Sequence, residues 1–218
     1  HTMITSTDGM NVMRNDRCKE REIVKLRDLF VIITQGVKKS SRQITFLVLV
    51  FIAGFMAGAD FPLLNRMFSS SFRKSLTEFR TEKIAERKSM SVPARGLSIA
   101  MNNLNAAEDV LVLGIAFGIY PVYSCLANGY RGGFLTSKAA RKKGPGVLLF
   151  LVPHGIFELP AMFIACGLGL RLGLCWFGQG RIERFRTIIM EILLITVLLI
   201  APLIFVAGMI EAAPWNWV

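Results

Sequence analysis

From Ile44 to Ala59 the chain reads ITFLVLVFIAGFMAGA, with no charged side chain. A bilayer core offers no water to backbone N–H and C=O groups, so a segment like this satisfies them internally, as a helix. Crossing about 30 Å of hydrocarbon takes roughly 20 apolar residues, range about 17–25. The block is short but adequate, and it ends at Asp60 and Pro62. Two further blocks follow, Val147 to about Leu170 and about Ile188 to Ile210. Such blocks commit the chain to an all-α membrane architecture.

Charge lies almost wholly between these blocks. The chain is 53% hydrophobic with a formal net charge of +11 and a mean hydropathy of +0.49, more apolar than the roughly 45–50% of soluble domains. Basic loops between apolar spans fit positive-inside topology and attraction to anionic lipid headgroups. A nucleic-acid-binding domain would carry its basic residues on a polar, soluble fold, so no nucleic acid is expected as a partner. The four cysteines include no CxxC. Cys125 and Cys166 lie within apolar blocks, Cys18 and Cys175 are isolated, and free thiols are expected. No cleavable signal peptide is expected, because the first long apolar block begins near Ile44. A native start at Met3 is expected.

Residues 1–42 form a basic tail. Within it the patch Leu26 to Ile33, LRDLFVII, is too short to span and suits a helix lying on the inner membrane surface. Residues 43–213 form the transmembrane domain. It includes an amphipathic segment, 62–101, in which Leu64, Phe68, Phe72, Leu76 and Phe79 recur at helical spacing and Glu78, Glu82 and Glu86 alternate with basic residues. The block Asn102 to Phe134 is too long for one straight span and holds Pro121. It is one kinked helix, two short helices hinged at Tyr120–Pro121, or a re-entrant segment. A basic loop, Lys138 to Lys143, and Gly144-Pro145-Gly146 follow. After the Val147–Leu170 span comes a basic linker with Arg171, Arg181, Arg184 and Arg186, then the last span with Glu191 and Pro202. Residues 214–218, with Trp215 and Trp217, form an interfacial tail. The N-terminal tail and the Lys138–Lys143 loop are the best cytoplasmic candidates. That gives a multi-pass protein of the cell membrane, N-terminus inside, with four spans, or five if 102–134 crosses twice.

Candidate functional residues are the polar groups at membrane depth. His154 and Glu158 are four apart and share one helix face. A central charge such as Asp costs about 2.5–3.5 kcal/mol on insertion scales, so such groups are paired, neutral or functional. Pro153 and Pro160 bracket them and free nearby carbonyls. The pair suits a proton relay, a cation site or a catalytic pair. Equally, a protonated Glu158 suits structural glue, bonded to Asn103, Asn128 or a freed carbonyl. Zinc is a poor fit, since a catalytic site needs about three ligands and only His154, Glu158 and Glu211 are at hand. A dyad of Ser124 with His154 lacks an oxyanion-hole motif. No metal, cofactor or catalytic residue is assigned.

Small residues repeat in four pairs: Gly54 and Gly58, Gly114 and Gly118, Gly129 and Gly133, Gly169 and Gly173. Each lets helix backbones approach closely, within the bundle or across a homo-oligomer. Glu191 is placed to reach the interface. Glu211 either sits at the interface or reaches Arg171 or another helix end.

The run Pro153-His154-Gly155-Ile156-Phe157-Glu158-Leu159-Pro160-Ala161, followed by Gly167-Leu168-Gly169-Leu170-Arg171-Leu172-Gly173, resembles the signature of the stage II sporulation protein M family. Asn102-Asn103 at the start of a central span, Asn128-Gly129 near its end, and Glu211 after a small-residue-rich last span match the same pattern. The resemblance covers about Ile44 to Ala213. It implies an integral membrane scaffold such as the sporulation member, which gathers a peptidoglycan-hydrolysing machine. It brings His154, Glu158, Asn103, Asn128 and Glu211 as matching positions without a catalytic assignment. The basic N-terminal tail departs from the short sporulation form.

The expectation is an all-α, polytopic transmembrane helix bundle of four to five spans with an amphipathic juxtamembrane helix. It is read as a non-enzymatic scaffold or assembly factor of the cell envelope. Its expected partners are the lipid bilayer with its anionic lipids, envelope proteins and further copies of itself. The rival is a small transporter or channel with a proton or cation pathway past His154 and Glu158.

Overall fold

The computed structural model describes residues 27–60, 87, 89–144, 146, 148–177 and 180–213, which are helical with short connections and include no strand. Residues 27–39 form α1. Next come α2, Ser41–Asp60, α3, Val92–Leu113, α4, Ile119–Lys143, and α5, Leu148–Leu174. The last helix, α6, runs Arg181–Ala212. It is α-helical to Ile195, π-helical over Thr196–Ile200, and α-helical again from Ala201. Pro202 follows the π turn, where its missing N–H and the clash of its ring with the preceding turn are absorbed by the widened backbone. Among the described residues three stretches are long and apolar enough to cross a membrane: Ser41–Ala59, Gly155–Leu174 and Arg181–Ala212.

Several boundaries differ from those read in the sequence. The 62–101 helix lies outside the described residues as far as residue 86. Its last part belongs to α3, which starts after Ser91 with Pro93 in its first turn and runs through Asn102 to Leu113. Proline suits a first turn because its missing N–H has no intrahelical partner there anyway. The 102–134 block is two helices, broken at Gly114–Gly118 rather than at Tyr120–Pro121. Phe117 (φ 57°) and Gly118 (φ 72°) adopt left-handed conformations that reverse the chain. Pro121 falls in the first turn of α4, where it is tolerated. Lys138 to Lys143 is the end of α4, not a loop, since Lys, Arg and Ala favour helix. Arg171 lies in the last turn of α5, and Arg181, Arg184 and Arg186 begin α6. These cations are helix ends rather than linker.

Close contacts set the helix directions. Gly54 packs on Leu126 and Tyr130, and Gly58 on Tyr130 and Phe134. Residue numbers rise together, so α2 and α4 are parallel. In the same way Gly169 meets Val110, and Gly173 meets Gly114 and Gly118, so α3 and α5 are parallel. Ile44 lies against Gly167 while Phe51 stacks edge-on with Phe163, so α2 and α5 are antiparallel. Gly96 packs on Met209 and Gly208 on Ala100, seating the end of α6 beside the start of α3. Hence α2, α4 and α6 run one way, α3 and α5 the other. One end of the bundle carries Lys39, the 114–118 turn and Arg171; the other carries Asp60, Val92 and Lys143. The reversal at 114–118 thus separates the N-terminal tail from Lys138–Lys143, which were expected on one side.

The larger core cluster joins α3, α5 and α6 through Leu111, Leu168, Leu172, Ile195 and Ile200. A smaller one joins α2, α4 and α5 around Leu47, Cys125 and Cys166. Among the described residues Cys125, Cys166 and Cys175 are buried free thiols.

Candidate functional site

Three helix faces, each carrying polar residues among apolar ones, line one space. On α4, Ser124, Asn128, Arg131 and Thr136 follow at helical spacing. On α3, Asn102, Asn103, Ala106, Ala107 and Val110 share a face. On α5, Gly155, Glu158, Leu159, Met162, Ala165 and Cys166 do the same. Phe51 and Phe55 of α2 and Ile204 of α6 complete a cavity of about 560 Å³. At roughly 30 Å³ per water, that is room for roughly 19 molecules, far more than a packing defect between helices.

The structure therefore brings Asn103, Asn128 and Glu158 together, from three different helices. It adds Asn102, Ser124, Arg131 and Thr136 to the same wall. Asn128 Nδ2 donates to Ser124 Oγ at 3.3 Å, which orients the carboxamide into the space. Among the described residues no carboxylate pairs with Arg131, although it lies midway along α4. His154 lies one helical turn before Glu158 in α5; its side chain is outside the described residues. Glu211 is exposed in the last turn of α6 and does not line the cavity.

A second polar cluster lies at the Lys39 end. Glu191 is buried, 7% exposed. Its Oε1 accepts from Lys39 Nζ at 2.7 Å and its Oε2 from Arg171 Nη1 at 2.6 Å. Arg171 Nη1 also stands 3.5 Å from Ser40 Oγ, which donates to Gly36 O at 3.1 Å. The partner of Arg171 is thus Glu191 and not Glu211, and Glu191 turns inward rather than to the interface. The reason is register: Glu191 lies near the start of α6, at the same end of the bundle as Arg171. A carboxylate one turn inside an apolar run, with cations at the ends of two other helices, is the signal that marks this lock in the sequence.

The paired small residues seat helices on one another. Gly54 and Gly58 meet the face of α4 that carries Gly129 and Gly133, and Gly114 and Gly118 meet Gly169 and Gly173, all within one chain. A Cβ on Gly54 would lie 2.5 Å from Leu126 O, and one on Gly169 2.6 Å from Val110 O. Only glycine permits backbones this close.

The family model described as "Stage II sporulation protein M" matches residues 44–213. The chain is also 32% identical over 77 residues to "Uncharacterized protein MJ0793" of Methanocaldococcus jannaschii, covering 34% of this chain and 43% of the relative. The chain thus spans less than half the length of that curated relative. No solved structure matches.

Proposed function

The chain belongs to the stage II sporulation protein M family of membrane proteins, and from that premise we propose that it is a multi-pass scaffold or assembly factor of the cell envelope. The observation that carries this reading is the pair of parallel, glycine-seated contacts, α2 on α4 and α3 on α5. Helices that meet backbone to backbone form a stiff frame, which suits a platform that holds partners in fixed positions. The five helices α2 to α6, alternating in direction, are read as five crossings. The Lys39 end is read as cytoplasmic because Lys38, Lys39, Arg42, Arg171 and Arg181 gather there. No catalytic step is proposed.

Crosslinking in native membranes followed by mass spectrometry tests this. A recurrent envelope hydrolase or cell-wall protein, lost when residues 62–86 are replaced by a neutral linker, is the expected result. Recovery of nothing but further copies of this chain would overturn it.

The cavity favours a second reading, a small transporter with Glu158 on its path. Proteoliposomes would then show proton, sodium or potassium flux that Glu158→Gln abolishes. No flux under any of the three gradients would remove this reading.

A further inference from the structure

We propose that the cavity is a lipid site: it takes the phosphodiester of an amphiphile at Arg131 and lays the chain along Phe51, Phe55 and Met162. The inference stands apart from the scaffold reading and needs none of its partners.

The size comes first. About 560 Å³ falls within the roughly 300–1,000 Å³ of small-molecule sites, which are mostly apolar with a few convergent polar groups. The helix directions then order the walls. Toward the Asp60 end stand Asn102, Asn103, Arg131, Thr136 and Glu158. Toward the Lys39 end stand Val110, Ala165 and Cys166, with Ser124 the one hydroxyl there, already accepting from Asn128. A space polar at one end and apolar at the other matches a molecule built the same way.

The polar end is rich in donors. The Arg131 guanidinium offers a planar fork suited to two phosphate oxygens. The carboxamides of Asn102, Asn103 and Asn128 supply further N–H groups. Glu158 faces the same space and would repel a bare anion. A head that carries a hydroxyl or amine beside its phosphate resolves this, because that group donates to the Glu158 carboxyl. Depth agrees. Gly133 packs against Phe55 and Ala59 and Gly129 against Phe51 and Phe55, so Arg131 sits level with Phe55, roughly 7.5 Å from Asp60 toward that end of the bundle. That is the level at which a phosphate enters while its chain points inward.

The test uses the full chain, delipidated in dodecylmaltoside, with native mass spectrometry. The probes are phosphatidylglycerol, phosphatidylcholine and a diacylglycerol, all with the same chains; inorganic phosphate is followed by thermal unfolding. Phosphatidylglycerol, with phosphate and a donor, is expected to bind at least about tenfold more tightly than the other two lipids, and inorganic phosphate to leave Tm unchanged. Arg131→Gln is expected to lose this preference and Arg131→Lys to keep part of it. Ala106→Phe, which fills the cavity without touching a charge, is expected to lose binding outright. Equal retention of the three lipids overturns the proposal. So does wild-type binding by Ala106→Phe, which would place the lipid on the outer surface. A Tm rise with inorganic phosphate alone, without lipid preference, makes the site one for a free anion and overturns the lipid assignment. Should Arg131→Gln fail to fold, the lipid comparison and Ala106→Phe decide.

Discussion

Arg171, in the last turn of α5, and Glu191, in the third turn of α6, meet at 2.6 Å with the carboxylate almost wholly enclosed. Lys39 takes the other carboxylate oxygen at 2.7 Å and brings the end of α1 to the same point. One buried charge in the third turn of α6 thus holds the ends of α1 and α5.

The two cations are not equivalent. The Arg171 side chain is 16% exposed and that of Lys39 51%. Removing a buried partner strands a charge, at a cost of about 3–5 kcal/mol, whereas a solvent-screened pair contributes about 1 kcal/mol or less. Arg171→Ala is therefore expected to lower thermal stability in detergent far more than Lys39→Ala. The double change Arg171→Met with Glu191→Leu should recover most of the loss, since apolar packing replaces a buried pair at little cost. Equal losses for both single variants would show that the lock is not buried in solution.

Gly133 and Gly155 give a second contrast. A Cβ on Gly133 would collide with Phe55 O, which is backbone and cannot move aside. A Cβ on Gly155 would meet only Leu159 Cδ1 at 3.8 Å, ordinary contact. Gly133→Ala is expected to cost at least about 1–3 kcal/mol by overpacking. Gly155→Ala should be neutral or stabilising by up to about 1 kcal/mol through helix propensity. Unfolding midpoints in the same detergent check both, and a tolerated Gly133→Ala would refute the parallel seating of α2 on α4.

Much of this architecture was legible and some was not, for physical reasons. Apolar length marks α2 unambiguously: Ile44–Ala59 in the sequence against Ser41–Asp60 in the structure. The break in the 102–134 block was misplaced because Pro121 looks like the breaker. A proline is harmless in a first turn, whereas Phe117 and Gly118 reverse the chain by dihedral choice alone, and Gly118 read simply as a packing residue. The polar residues Asn103, Asn128 and Glu158 stand out one by one from their apolar surroundings. Their convergence depends on which helices run parallel, and only contacts such as Gly54 with Leu126 fix that. Thr136 carried no signal at all, being one hydroxyl among many until the register placed it in the cavity.

Glu158 separates glue from bulk packing. It lines the cavity with three asparagines, and in the scaffold reading its carboxyl bonds across helices. Glu158→Gln keeps those bonds and should leave Tm nearly unchanged. Glu158→Leu removes them and should cost about 1–3 kcal/mol by leaving buried partners unsatisfied. Equal Tm for the two variants would remove the structural role and leave chemistry or transport as the reason for the carboxyl.

Trp176 pins the chain reversal. Its indole Nε1 donates to Ile115 O at 2.9 Å, inside the 114–118 turn. The N–H groups of 114 to 119 all bond to nearby carbonyls, and the indole adds the side-chain bond that ties this turn to the end of α5. Trp176→Phe keeps the ring and loses the donor, at about 0.5–1.5 kcal/mol. Hydrogen exchange at 115–118 should quicken by roughly two- to tenfold, with α2 and α4 unaffected. Unchanged exchange in the turn would mean that the reversal is held by Phe117 and Gly118 alone.

The reversal also has a consequence that can be read across a membrane. With α2 and α4 parallel and α3 between them antiparallel, Lys38 and Lys142 stand at opposite ends of the bundle, both exposed. Had 102–134 crossed once as a kinked helix, the two lysines would lie on the same side. Cysteine placed at either position, in a chain whose four native cysteines are replaced by serine or alanine, distinguishes these arrangements. A membrane-impermeant maleimide added to intact cells is expected to label Lys142→Cys and to spare Lys38→Cys until the membrane is opened. Labelling of neither before lysis, or of both, would mean that α3 and α4 do not cross in opposite directions. The parallel pairing of α2 with α4 would then have to be abandoned with it, because Gly54, Gly58, Gly129 and Gly133 can meet as they do only if α4 rises beside α2.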